Sequence, residues 1–218
     1  MTQAEKRQTV AKIAEILEAR YPDAVCSLDW ENDPWKLMIM GRLSAQCTDE
    51  RVNLVCTDLF RRFPTPEALA AGDLSEIEDC IRSCGLYHVK AQNIRDASRM
   101  LVTDFGGKMP DTMEALLKLP GVGRKVANLI LGDLYGTGGT VADTHCIRIC
   151  GRFGMYPETL RDPARVEKLM DALLPQEIRS DFCHRLVLFG REVCTARAPK
   201  CGECPVRELC EKGRPWRG

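Results

Sequence analysis

Residues 119–130 read LPGVGRKVANLI. Pro120, Gly121 and Gly123 interrupt whatever element precedes them, and VANLI resumes with helix-like apolar spacing. With EALLKL just before it, the stretch predicts two helices joined by a tight hairpin. Arg124 and Lys125 then fall in the first turn of the second helix, where the macrodipole is positive and carboxylates, not cations, are favoured. A bound anion resolves that conflict. The two glycines allow close approach of a ligand backbone, and the amides at a helix start have no carbonyl partners within the helix. Gly121, Val122, Gly123 and Arg124 therefore form a site for which phosphate is the natural occupant. Such a site positions a nucleic-acid strand without reading its bases. The blander alternative is an ordinary helix–turn–helix packing element.

Lys125 carries a second implication. A positive helix terminus disfavours an ammonium, and a neutral lysine is a nucleophile able to attack carbon and form an imine. Eighteen residues on, Asp143 stands in VADTHC at the predicted start of another helix. Its plain role is an N-cap. Beside a lysine nucleophile, the same carboxylate could stabilise an oxocarbenium-like charge and move protons.

Four cysteines close the chain in CTARAPKCGECPVRELC: Cys194, Cys201, Cys204 and Cys210, spaced C-x6-C-x2-C-x5-C. One C-x2-C between two outlying cysteines suits a cubane iron–sulfur cluster better than the paired knuckles of zinc sites, although thiolates bind both. The N-terminus is a charged amphipathic pattern without the apolar core of a signal peptide. The chain is thus expected in a reducing cytoplasm, where disulfides among its 12 cysteines are disfavoured. The other eight cysteines are read as small hydrophobes on helix faces.

Hydrophobic content of 44% and charged content of 28% are those of an ordinary globular protein. No apolar run approaches the ~20 residues of a membrane span. Net charge is zero, but residues 179–218 hold nine Lys or Arg against five Asp or Glu, leaving +4 at the C-terminal end. That asymmetry suits a phosphate-facing surface or a solvated face. The remaining pattern is helix after helix with short connections. Thr2-x-x-Glu5 is a capping box; Asp33-Pro34, Thr65-Pro66 and Asp162-Pro163 are cap and first-turn pairs; Ser75 opens a helix ended by Gly85; further helices are expected over 90–103, 112–118, 144–153 and 181–193. No alternating strands are evident, and the fold class is all-α.

LSAQCTD (43–49), IRSCGLYHVKAQNI (81–94), LPGVGRKVANLIL (119–131), ADTHCIR (142–148) and the four-cysteine loop resemble, in this order, the endonuclease III family of helix–hairpin–helix DNA glycosylases. The resemblance spans roughly residues 25–212. It implies a two-lobed helical fold, with a six-helix lobe at 27–137 and a second lobe, 1–26 plus 138–218, carrying a [4Fe–4S] cluster on the four cysteines. It implies a bifunctional enzyme that removes oxidised pyrimidines from duplex DNA and cuts the abasic strand by β-elimination. Lys125 would form the Schiff base and Asp143 would be the catalytic carboxylate. Gln46 and Leu86 match residues that fill the gap left by the extruded nucleotide, and His145 matches one near the DNA backbone. Taken alone, Leu86 would read as a core leucine after a helix end. A monomer acting on damaged DNA is implied, with no membrane. The adenine-mismatch branch is similar but carries a catalytic glutamate where this chain has Met40; the thymine-mismatch branch usually lacks the lysine. The chain departs from the family pattern at Gly41-Arg42, Ala142 and Cys146-Ile147, which bears on substrate preference. Arg42, on an apolar helix, must find a partner or reach solvent.

Overall fold

The computed structural model describes residues 1–215; Arg217, counted above among the basic residues, lies outside them. Among the described residues the regular structure is entirely helical: α1 (Gln3–Arg20), α2 (Pro34–Leu43), α3 (Asp49–Arg62), α4 (Pro66–Ala71), α5 (Leu74–Ile81), α6 (Tyr87–Phe105), α7 (Met113–Leu116), α8 (Arg124–Tyr135), α9 (Thr144–Phe153), α10 (Pro163–Asp171) and α11 (Arg179–Glu192). The chain divides into two compact units, residues 27–135 and residues 1–26 with 136–218. None of the described helices is long and apolar enough to cross a membrane.

In the unit 27–135, α2 is buried over most of its length: Trp35, Leu37, Met38, Ile39, Met40, Gly41 and Leu43 are all inaccessible. That explains the apolar run 37–40, while Lys36 and Arg42 to either side of it are only partly buried. Trp35 is anchored by its indole N–H, which donates to Ser98 Oγ of α6 at 2.9 Å. Gly41 faces α8: a Cβ there would stand 3.1 Å from Val126 Cγ1. The glycine thus sets the close crossing of α2 and α8, the helix that begins with Arg124 and Lys125.

In the other unit, α1, α9, α10 and α11 close over a core that includes Val10, Leu17, Ile149, Phe153, Phe182 and Phe189. Ala142 is part of this core, so it is a packing position. Thr140 is tied to α10, its amide and hydroxyl both donating to Asp171 Oδ1 at 2.7 Å, which fixes the segment leading into Asp143.

The caps at Thr2, Asp33, Thr65 and Asp162 form as expected, Thr2 and Glu5 making the reciprocal capping box. Two helix starts differ from expectation. Asp73, not Ser75, caps α5, because its carboxylate accepts from the amides of both Ser75 and Glu76. Gly85 does not take the left-handed conformation that ends a helix; Leu86 does, with φ 59°, and α6 starts immediately after it at Tyr87 instead of residue 90.

Candidate active site and cluster loop

Turn geometry assigns different duties to the residues of the hairpin. Gly121 has φ 77°, and a Cβ there would lie 2.5 Å from Arg42 Nε, so both backbone and packing demand glycine. Arg42 does find a partner: its Nε and Nη2 donate to Asn93 Oδ1 at 3.0 and 2.8 Å, and its aliphatic arm seats the turn. Burial alone pushes the Arg42 guanidinium below its ordinary pKa. Val122 is buried and its amide donates to Leu119 O, so it anchors the hairpin. Gly123 is different. It is exposed, a Cβ there would meet no protein atom within 4 Å, and its carbonyl accepts the first helical bond, from Ala127. Gly123 thus stands at the N-cap of α8, where glycine is tolerated, and the space around it is open to approach from outside. Arg124 and Lys125 follow, both exposed.

Gln46 and Leu86 occupy a second feature of the same unit. Both are exposed and both hold positive φ, 55° and 59°. Leu86 is 63% exposed, which overturns its reading as a core leucine. A branched side chain in the left-handed region costs energy, and here it buries little in return. The two loops are joined from beneath. Lys90, fully buried, donates from Nζ to Leu43 O at the end of α2, and Cys47 Sγ lies 3.7 Å from Cys84 Sγ. Burial lowers the pKa of the Lys90 ammonium.

Asp143 caps α9, its Oδ1 accepting from Cys146 N at 2.7 Å. Its other carboxylate oxygen makes no hydrogen bond among the described residues, so capping uses only half of the group. His145, in the first turn of α9, has its Nδ1 3.2 Å from Arg148 Nη2. Both pack on Gly190 of α11, where a Cβ would stand 2.3 Å from His145 Nδ1.

The C-terminal end of α9 grips the cysteine loop. Arg148 Nη2 donates to Cys194 O at 3.1 Å; Arg152 donates to Thr195 O at 2.7 Å, to Ala196 O at 2.9 Å and to Cys194 Sγ at 3.3 Å. One helix thus carries Asp143 at its start and the anchors of the loop further along. Neither arginine was singled out from sequence, although Arg148 and Arg152 stand four apart on a helix that starts at a singled-out aspartate.

Cys194, Cys201, Cys204 and Cys210 all line one cavity with about 360 Å³ of atom-free space, part of it open to solvent. Phe153, Phe189 and Val193 form its apolar wall. Burial is the main cause that pushes the Cys204 thiol up to about 11 and raises Cys210, and the neighbouring cysteines add to it. Four crowded thiols resist ionising together unless a cationic core neutralises them. Among the described residues no three His, Cys, Asp or Glu gather as one metal ion requires. An iron–sulfur cluster, which takes each thiolate on a different iron, fits four cysteines spread around one cavity. The amide of Gly213 also donates to Cys210 Sγ at 3.3 Å, as cluster sulfurs accept.

Comparison with known proteins agrees with this architecture. Residues 39–176 match the model of the HhH-GPD superfamily of base excision DNA repair proteins, and residues 194–210 match the iron–sulfur binding domain of endonuclease III. The chain is 46% identical to endonuclease III of Synechocystis sp. over 208 residues, covering 95% of this chain and 94% of that protein. It is 40% identical to endonuclease III of Bacillus subtilis, covering 89% and 88%. A solved structure of a trapped endonuclease III–DNA covalent intermediate superposes with TM-score 0.88 at 38% identity, covering 95% of this chain and 97% of that one. A thermostable thymine-DNA glycosylase shares the fold, with TM-score 0.84 at 22% identity and coverage of 98% and 99%. From the hairpin through the cysteine loop, the chain belongs to the endonuclease III family of iron–sulfur base excision DNA repair enzymes.

Proposed function

We propose that this base excision repair enzyme, a DNA glycosylase with abasic-site lyase activity, uses Lys125 and Asp143 as its catalytic pair on oxidised pyrimidines in duplex DNA. Lys125 Nζ attacks C1′ of the damaged nucleotide. The glycosidic bond breaks and the base departs with one of the amine's protons; the C1′–O4′ bond then opens, O4′ takes the other proton, and the C1′=N bond of the Schiff base forms. Loss of a 2′ proton then expels the 3′ phosphate, cutting the strand 3′ to the lesion by β-elimination. Asp143, through its uncapped oxygen, stabilises the positive charge at the sugar and relays protons. The observation that carries this reading is an exposed lysine in the first turn of α8, two residues after a glycine, Gly123, that no neighbouring protein atom crowds.

The other residues divide the work of holding DNA. Gly121 and Val122 set the turn, while Gly123 and Arg124 meet a phosphate at the helix start, where amides and dipole favour an anion. Extruding the damaged nucleotide costs a few kcal/mol, less for a damaged base. Gln46 and Leu86, already exposed and in strained backbone, enter the gap, and His145 lies along the DNA backbone. When bound, the [4Fe–4S] cluster supplies a rigid ligand core for Cys194, Cys201, Cys204 and Cys210. Through Arg148 and Arg152 the loop in turn fixes α9 and the carboxylate at its head. The working form is a monomer on damaged duplex DNA in the cytoplasm. Incubation with a duplex containing one thymine glycol should yield a strand break without added alkali. A product that appears only after alkaline treatment would make the chain a monofunctional glycosylase.

A further inference from the structure

We infer that Cys47 and Cys84 form a peroxide-sensitive dithiol that latches together the two loops carrying Gln46 and Leu86. The sulfurs are 3.7 Å apart, although 37 residues separate them in sequence. Each is fixed by its own turn: the Cys47 amide donates to Ser44 O and the Cys84 amide to Ile81 O. The pair is asymmetric. Cys47 is half-buried and within reach of solvent, whereas Cys84 is fully inaccessible behind it. Cys56, buried on α3, lies near enough to both sulfurs to interact with them but is itself inaccessible to solvent; Cys146, Cys150 and Cys183 are buried in the other unit, and Cys80 lies against Asp58. Burial, with Cys47 close by, pushes the Cys84 thiol up to about 11, so it keeps its proton until a reactive partner forms beside it.

The chemistry needs one oxidant, a hydroperoxide such as hydrogen peroxide. Its O–O bond breaks as the Cys47 sulfur takes one oxygen, giving a sulfenic acid and one water. The Cys84 thiol then attacks that sulfur; the S–O bond breaks, the S–S bond forms and a second water leaves with the Cys84 proton. Each sulfur has lost one electron and the peroxide has gained two. A disulfide requires the sulfurs to close to ~2.05 Å, a contraction of roughly 1.7 Å from their present separation. Gln46 precedes Cys47 directly and Leu86 follows Cys84 by two residues, so the contraction acts on both loop tips. A misplacement of about 1 Å can cost on the order of 100-fold in rate. The oxidised form is therefore expected to excise lesions roughly 10- to 100-fold more slowly. This consequence rests on the proposed roles of Gln46 and Leu86; formation of the bridge does not.

The test treats the cluster-loaded protein briefly with hydrogen peroxide and follows three signals. These are the Cys47–Cys84 linked peptide by mass spectrometry, the visible absorbance of the cluster, and strand cleavage of a thymine glycol duplex. The expected result is a linked peptide while the cluster absorbance is intact, slowed cleavage, and recovery of both by dithiothreitol. Cys47→Ser should show no link and keep its cleavage rate under peroxide. Cys84→Ala should stop at a sulfenic acid on Cys47, which dimedone captures. The inference is overturned if both thiols are still free, read by alkylation after unfolding, when the cluster bleaches. It is equally overturned if the link forms without slowing cleavage, or if Cys47→Ser slows as much as the parent. Failure of the untreated protein to cleave at all would instead strike at the proposed function, since the linked peptide is read without activity.

Discussion

Leu86→Gly separates a residue kept for stability from one kept for work on DNA. In the structure Leu86 has φ 59° and ψ 33° and is 63% exposed. Glycine at this position releases the left-handed penalty of roughly 1–2 kcal/mol. Against that, glycine adds unfolded-chain freedom costing about 0.5–1 kcal/mol. The lost burial is about a third of a leucine's full 1.5–3 kcal/mol, or roughly 0.5–1 kcal/mol. These terms nearly cancel, so stability should change by less than about 1 kcal/mol, which for a chain of this size moves Tm by no more than about 4 °C. A core leucine cut back so far would cost about 2–5 kcal/mol or more. The proposed gap-filling contact disappears altogether. If it supplies on the order of 1.4 kcal/mol toward extrusion, single-turnover excision falls about tenfold. Thermal unfolding followed by circular dichroism, paired with single-turnover excision of thymine glycol, measures both halves. A Tm loss beyond about 8 °C would show that Leu86 is a packing residue, and unchanged excision would remove it from the DNA interface.

Gly190→Ala places a methyl 2.3 Å from His145 Nδ1 and 2.9 Å from Ile149 Cδ1, with Arg148 Nη2 2.8 Å away. Overpacking of this kind costs about 1–3 kcal/mol; because the His145 and Arg148 side chains must leave their seats on α11, excision should fall along with Tm, and a variant of parental stability would contradict the α9–α11 packing described. Arg42→Leu removes both donors to Asn93 Oδ1 and unseats Gly121, so stability should drop by about 1–3 kcal/mol. Arg42→Lys should not restore it, because one ammonium cannot replace the Nε–Nη2 fork; denaturant unfolding of both variants decides. Glu192 accepts from Tyr21 Oη and Arg20 Nη2, which hold its carboxyl below the ordinary 4.5. A depressed folded-state pKa contributes stability above the unfolded value and loses it as pH falls through the folded one. The stability gap between parent and Glu192→Gln should therefore be present at neutral pH and close below about 4.5; a gap that widens in acid would reverse the sign of the argument.

Much of the helical frame was legible because it is written in local chemistry. Cap residues such as Thr2, Asp33 and Asp162 act on amides two or three positions away, and apolar spacing shows which faces turn inward. The errors lie where two local signals compete. Gly85 is the residue that ordinarily takes positive φ, yet Leu86 holds it, with its side chain 63% exposed. Ser75 has the composition of a helix start, but Asp73, two residues earlier, takes the amides of Ser75 and Glu76 and opens the helix at Leu74. Contacts across long separations leave no local trace. Arg42 signalled that it needed a partner, but nothing pointed to Asn93, 51 residues away. The pairing of Cys47 with Cys84 and the seat of Lys90 beneath Leu43 are equally invisible, since each is set by how α2, α5 and α6 assemble. The four terminal cysteines announced a metal centre through spacing, whereas the arginines that hold their loop come from α9 and appear only in three dimensions.

The central claim is that Lys125 attacks the sugar and passes through an imine. Borohydride trapping on a duplex carrying one thymine glycol, with the parent protein and Lys125→Ala side by side, tests it most directly. The account predicts a covalent protein–DNA complex with the parent, and none with Lys125→Ala although that variant still binds the lesion. A parent protein that binds but never traps, or a Lys125→Ala variant that traps as well as the parent, would contradict it.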